Sequence, residues 1–185
     1  SWTDPNGNAH SGTFDPATDV AGVYTYTLAA QAPCPGDQST VTVVVNAAAD
    51  AGLDGSITVC DVGGPVGLFA SLGGTPDAGG TWTDAASNVF SGTYDPSVDA
   101  PGVYTYTVAG TAPCADVSAT VTVTETTAAD AGVDGTLTLC TSSPAAGLFA
   151  ELGGTPDAGG SWTDPNGNAH SGTFDPATDV AGVYT

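Results

Sequence analysis

Two stretches of the chain alternate between apolar side chains and threonine. Val103–Val108 sets Tyr104, Tyr106 and Val108 against Thr105 and Thr107. Ala119–Thr124 sets Val121 and Val123 against Thr120, Thr122 and Thr124. A period of two with threonine outward predicts half-buried antiparallel strands. Shorter runs read the same way: Ser56–Cys60 with Ile57 and Val59, Val66–Leu72, Gly80–Asp84 carrying Trp82, and Phe90–Tyr94. Gly and Pro clusters separate them, and helix signals are nearly absent. Six or seven strands at this spacing predict an all-β fold, a small antiparallel β-sandwich.

The pattern repeats. Ser1-Trp2-Thr3-Asp4 returns as Thr81-Trp82-Thr83-Asp84 and as Ser161-Trp162-Thr163-Asp164, an offset of 80 residues each time. Cys34 maps onto Cys114 and Cys60 onto Cys140 at the same offset. Residues 1–80 align with 81–160 without a gap, and residues 161–185 are identical to 1–25. Two slightly different units therefore alternate. An 80-residue period suits one small globular domain. The small polar stretches at 46–52 and 126–132 follow strong strands and read as linkers. The expected organisation is the back part of one repeat at 1–46, a complete repeat at 47–126, and the front part of the next at 127–185. The chain reads as mature or internal sequence, a slice of a longer polypeptide. Complementation of separate subunits, head to tail, is the other reading of this phase.

Composition changes the picture by exclusion. The 185 residues hold no Lys or Arg, 20 acidic residues and two histidines, for a formal charge of −20. Such a chain cannot neutralise phosphates, so nucleic acid and anionic membrane surfaces are not expected partners. It cannot form a Lys- or Arg-based salt bridge, Schiff base or isopeptide staple. No run approaches the length of a membrane span. Burial of apolar surface must hold the fold together.

Asp99-Ala-Pro-Gly102-Val-Tyr104 precedes the penultimate strand, and Asp19-Val-Ala-Gly22-Val-Tyr24 repeats it. Both resemble a tyrosine corner, in which the hydroxyl bonds back to upstream backbone. The run Leu72-Gly-Gly-Thr-Pro-Asp-Ala-Gly-Gly-Thr-Trp82-Thr-Asp belongs with Ser91-Gly-Thr-Tyr-Asp-Pro96. So do Gly102-Val-Tyr-Thr-Tyr-Thr-Val108, Ala112-Pro-Cys114 and Ala119-Thr-Val-Thr-Val. Together these motifs resemble the tandem immunoglobulin-like repeats of very large secreted surface and adhesin proteins of Bacteroidetes-type bacteria. The resemblance covers every copy. It implies tandem Ig-like sandwiches, export to the cell surface, a role in adhesion, gliding or extracellular filaments, and no catalytic residues.

One cysteine pair per repeat without a CxxC spacing argues for disulfides rather than zinc. A Cys60–Cys114 bond within one repeat is the preferred pairing, leaving Cys34 and Cys140 to partners outside 1–185. Cys34–Cys60 and Cys114–Cys140 bonds, stapling adjacent repeats, are the alternative.

Other chemistry is sparse. Asp4-Pro-Asn6-Gly-Asn8 resembles the start of a calcium loop, but Ala9 stands where an EF-hand needs Gly, and an Asx turn is the simpler reading. Asp50, Asp54, Asp130 and Asp134 flank the linkers and are the better Ca²⁺ candidates, set against a plain turn-forming role. His10 and His170 have Phe90 as their counterpart, which speaks against a catalytic role. Trp82 reads as a core aromatic; a sugar platform at Trp2, Trp82 and Trp162 is the alternative. The expected function is a non-enzymatic structural repeat of a secreted, extracellular filament or adhesin stalk, whose partners are neighbouring copies of the same repeat. A glycan-binding adhesion module is the second reading.

Overall fold

A computed structural model describes residues 1–185. The chain is all-β, with two short 3-10 turns as its only helical segments. It divides into two compact units, residues 1–59 with 63–125, and residues 60–62 with 126–185.

In the first unit, β1 (Trp2–Thr3), β2 (Ala9–His10), β3 (Gly22–Leu28) and β4 (Asp37–Val43) form one sheet in the order β2-β1-β3-β4. The β3–β4 hairpin is antiparallel throughout, from Gly22 opposite Val43 to Leu28 opposite Asp37. Next come β5 (Gly55–Cys60), β6 (Val66–Gly67), β7 (Thr81–Thr83), β8 (Val89–Phe90), β9 (Thr93–Tyr94), β10 (Gly102–Val108) and β11 (Val117–Thr126). They make a five-stranded sheet, β5-β11-β10-β7-β8, and a separate β6-β9 pair. This is a sandwich-like arrangement over one core.

The threonine alternation is realised in the burial. Tyr104, Tyr106 and Val108 on β10 and Ala119, Val121 and Val123 on β11 are buried, and the threonines between them face out. Cross-strand pairing puts Tyr104 opposite Val121 and Tyr106 opposite both Ala119 and Trp82. Leu68, Leu72 and Tyr94 close the core from the other side. Trp82 packs on Tyr106 with ring centroids 5.0 Å apart, and Phe69 meets the same tyrosine edge-on at 5.4 Å. The Tyr106 hydroxyl donates to the Asp77 carbonyl at 2.7 Å and accepts the Gly80 N–H at 2.8 Å, so its polar end is satisfied.

Three expectations change. Val66–Leu72 is not one strand: it is the two-residue β6 followed by a 3-10 turn, Leu68–Ser71, which drives Leu68 into the core. Phe90–Tyr94 is split at Gly92, whose φ of 83° turns the chain from one sheet to the other. A Cβ there would sit 2.7 Å from Trp82 Cδ1. Finally, β5 lies parallel to β11 rather than antiparallel. Asp54 Oδ1 accepts the Thr120 N–H at 2.7 Å, and the Thr58 and Thr124 hydroxyls meet at 2.8 Å. The Asp61 N–H then reaches the Thr126 carbonyl at 3.1 Å. Parallel neighbours need a long crossover, and the segment between β5 and β11 supplies it.

The second unit contains β12 (Ala146–Gly147), β13 (Trp162–Thr163), β14 (Ala169–His170) and β15 (Thr173–Phe174), in the pairs β12-β15 and β13-β14. Their registers repeat those of β6-β9 and β7-β8 at an offset of 80. Gly135–Cys140, the counterpart of β5, forms no ladder.

Candidate functional site

Most acidic side chains are spent on their own backbone. Asp84 Oδ1 accepts the Ala86 and Asn88 N–H groups at 2.9 and 2.8 Å, and Asp4 and Asp164 repeat the arrangement. These are Asx turns. Hydrogen bonds from the side chains of Asn8, Asn88 and Asn168 hold Asp4, Asp84 and Asp164 below the ordinary carboxylate range. Asp19 and Asp179 are lowered first by the backbone N–H groups of Asp15 and Asp175, and Asp95 by Ser97. An unfolded chain binds protons at these groups more readily than the folded one. Their stabilisation is therefore complete above about pH 4 and lost as pH falls further. Thermal unfolding followed by circular dichroism is expected to show a falling melting temperature from about pH 4 towards pH 2. A melting temperature that rises through that window would refute this account.

The four calcium candidates fall into the same pattern. Asp50 Oδ1 accepts the Gly52 N–H at 2.7 Å, and its own N–H donates to Asp77 Oδ2 at 2.9 Å. Asp130 does the same with Gly132 and Asp157. Asp54 is committed to Thr120 on β11. Asp134 has no such partner strand beside it, because the counterpart of β11 is not present in the second unit. No three acidic, histidine or cysteine side chains converge anywhere in the chain. Hard cations want six or more oxygens. Addition of about 1 mM Ca²⁺ is accordingly expected to leave the melting temperature where EDTA leaves it; a rise of several degrees would overturn this.

All four thiols are free. Cys114 is half-buried, with its Sγ 3.6 Å from the Asn46 carbonyl. Cys60 ends β5, beside the Thr126 end of β11, and Cys114 precedes the Val117 end. A ten-residue strand spans about 30 Å, far beyond the Cα separation that a disulfide tolerates. The structure does not bring Cys60 and Cys114 together. Sequence spacing carried no sign of this, because it does not report the direction in which β5 runs.

His10 Nε2 lies 3.2 Å from Asp19 Oδ2, and its Nδ1 accepts the Gly12 N–H at 3.1 Å. The imidazole therefore carries its proton on Nε2 and braces a loop. His170 repeats the arrangement with Asp179 and Gly172. The tyrosine corners form in all three copies. Tyr24, Tyr104 and Tyr184 donate to the carbonyls of Val20, Ala100 and Val180 at 2.9, 2.7 and 2.8 Å.

One pairing escaped the sequence reading. The fully buried Tyr94 donates to Glu125 Oε1 at 2.6 Å, and burial followed by this bond pushes its phenol well above the usual tyrosine range. The counterparts are Phe14 and Val45, so both partners become apolar together. That joint exchange was the available signal. Glu125→Ala would leave the hydroxyl with only a 3.4 Å approach to the Asp99 carbonyl. A loss of about 1–3 kcal/mol in denaturant unfolding is expected.

The most conspicuous surface features are two apolar faces. In the second unit an open cleft of about 1110 Å³ is lined by Leu137, Leu139, Leu152, Trp162, Phe174 and Tyr184. Their counterparts Ile57, Val59, Leu72, Trp82, Tyr94 and Tyr104 belong to the core beneath β10 and β11 or pack against it. In the first unit, β3 and β4 present the equivalents of β10 and β11 without a covering layer. Tyr26 is 36% exposed where Tyr106 is 2%, Leu28 is 53% where Val108 is 9%, and Val41 is 50% where Val121 is 0%. At the 80-residue offset the cleft and the hairpin face correspond to opposite layers of the core at residues 51–123. Comparison with protein-family models, with curated proteins and with solved structures finds no match to this chain.

Proposed function

We propose that this chain is a non-enzymatic structural repeat of an extracellular bacterial surface filament or adhesin stalk, built from tandem Ig-like domains that contact their neighbours end to end. The observation that carries the reading is the recurrence, at a fixed 80-residue offset, of the same corner, the same Asx turn and the same sheet registers. A tyrosine corner before the penultimate strand of a small sandwich is an Ig-type feature. Polar groups serve the backbone rather than converging on a substrate, which suits a load-bearing element. The acidic surface discourages unspecific lateral clumping. An exported setting permits disulfides between its thiols.

The glycan-binding alternative gains no support from Trp82. Its ring is buried against Tyr106 and over Gly92, which leaves no face for a sugar.

Cryo-electron microscopy of unsheared surface material tests the proposal. Regular filaments with a rise of one or two domain lengths are expected. A chain found only inside cells, or only as isolated globules, would sink it.

A further inference from the structure

We infer that the middle repeat carries a small ligand pocket, which takes a primary ammonium group on a short alkyl stem. This goes beyond the structural role proposed above and does not rest on it.

The pocket lies where the Asx turn at Asp84 meets the corner loop that leads into β10. It has a volume of about 280 Å³ and is lined by Ala85, Phe90, Val98, Asp99, Pro101 and Tyr104, with Asp84 beside them. The wall is mostly hydrocarbon, so a hard metal ion would find too few oxygens there.

The other two copies occupy the same place from within. Pro5 and Pro165 stand at the position of Ala85. Their rings press on Gly22 and Gly182, where an added Cβ would meet the proline Cγ at 2.8 and 2.6 Å. At Gly102 an added Cβ would meet only the Ala85 Cβ, at 3.7 Å. The middle repeat thus leaves a ring-sized space open.

A donor is missing from that space as well. Asp19 Oδ2 accepts the Asp15 N–H at 2.7 Å and lies 3.2 Å from His10 Nε2. Asp179 Oδ2 does the same with Asp175 and His170, at 2.7 and 3.4 Å. Asp99 Oδ2 keeps the Asp95 N–H, at 2.8 Å, but Phe90 stands where the imidazoles do. A carboxylate that binds a side-chain nitrogen in two copies therefore lacks one in the third.

An alkylammonium answers both vacancies. Its stem takes the place of the proline ring, against Ala85, Val98 and Pro101. Its nitrogen donates to Asp99, a charge-assisted hydrogen bond. Asp84 has its oxygens committed to Ala86 and Asn88, and adds a second negative charge nearby. No side chain of this sequence carries such a group, because it holds no Lys. The ligand comes from outside it, as a free amine or as the lysine side chain of another protein.

The test is a titration of the 185-residue chain, labelled with ¹⁵N, with n-butylamine at pH 7 and fixed ionic strength. Saturable amide shifts are expected at Ala86, Val98, Asp99 and Ala100, with a Kd of about 1–10 mM. The counterparts Asn6, Thr18, Asp19 and Val20 are expected to stay still. n-Butanol, which has the stem without the charge, is expected to give no saturation. Ala85→Pro and Phe90→His each install a residue that the other copies already hold, so the circular dichroism spectrum is expected to stay unchanged. Each is expected to weaken binding at least tenfold, roughly, and so is Asp99→Asn, which keeps an acceptor for the Asp95 N–H but drops the charge. Lysine blocked at both its α-amine and its carboxyl distinguishes the sources. Saturation by it at the same amides assigns the pocket to a protein lysine; its exclusion while n-butylamine binds assigns it to a free amine. Shifts that grow linearly without saturating overturn the inference. So do equal shifts around Asp19, or an affinity unchanged in both Ala85→Pro and Phe90→His.

Discussion

Trp82→Ala is expected to cost about 3–5 kcal/mol of folding stability, the range for removing a buried large aromatic. The indole is the centre of the middle core. It stacks on Tyr106 across the β7–β10 pair, and Gly92 passes directly beneath it. Tyr106 in turn ties β10 to the Asp77–Gly80 loop through both hydrogen bonds of its hydroxyl. An alanine leaves a void walled by backbone and by rings held at their own hydrogen bonds, which cannot collapse to fill it. Urea unfolding followed by far-UV circular dichroism measures the loss. Against a total of about 5–15 kcal/mol for a typical domain, much of the margin disappears. A loss below 1 kcal/mol would mean that the ring is peripheral and would reopen a surface role for it. Trp2 and Trp162, half-buried in their copies, are expected to cost less when replaced.

Gly55→Ala is expected to be comparably damaging for a different reason. A Cβ at Gly55 would be driven into the Ser71 carbonyl oxygen, a backbone atom at the end of the 3-10 turn. No side-chain rotation relieves that clash, so β5 must move off the turn, or the turn off the core. Leu68 and Leu72, buried at either end of this turn, move with it. Overpacking of this kind costs about 1–3 kcal/mol where side chains yield and more where backbone must shift. A drop in melting temperature of about 10 °C or more is expected for a domain of this size. Gly135 stands against the Glu151 carbonyl in the same way. The buried core cluster lies between Ala51 and Val123, so Gly135→Ala is expected to move the main transition far less. Equal effects at the two glycines would show that both units melt as one.

Much of the fold was legible in the residues because it depends on local period. β10 and β11 announce themselves through tyrosine and valine alternating with threonine, and the structure buries those same side chains. The corner tyrosines were visible through Asp99 to Tyr104 and their repeats, because the loop that returns the hydroxyl to its carbonyl is only four residues long. Trp82 was readable as core for the same reason: it sits between threonines on a strand. The Ca²⁺ candidates show the limit of such reading. Asp50 and Asp54 are close in sequence, yet one carboxylate turns to its own linker and Gly52, the other to Thr120 on a distant strand.

The sequence by itself determined the repeat, its 80-residue offset, the all-β character and the alternation that builds each strand, since all of these are written in spacing and residue type. Tertiary structure decided the rest. That β5 runs parallel to β11, that Cys60 and Cys114 stand at opposite ends of that strand, and that Leu68 enters the core on a 3-10 turn follow from where strands distant in sequence come to lie. Within the single apolar run Val66–Leu72, Leu68 is fully buried while its neighbour Phe69 is 40% exposed. Burial is a property of the neighbours that a strand acquires, and no local pattern encodes it.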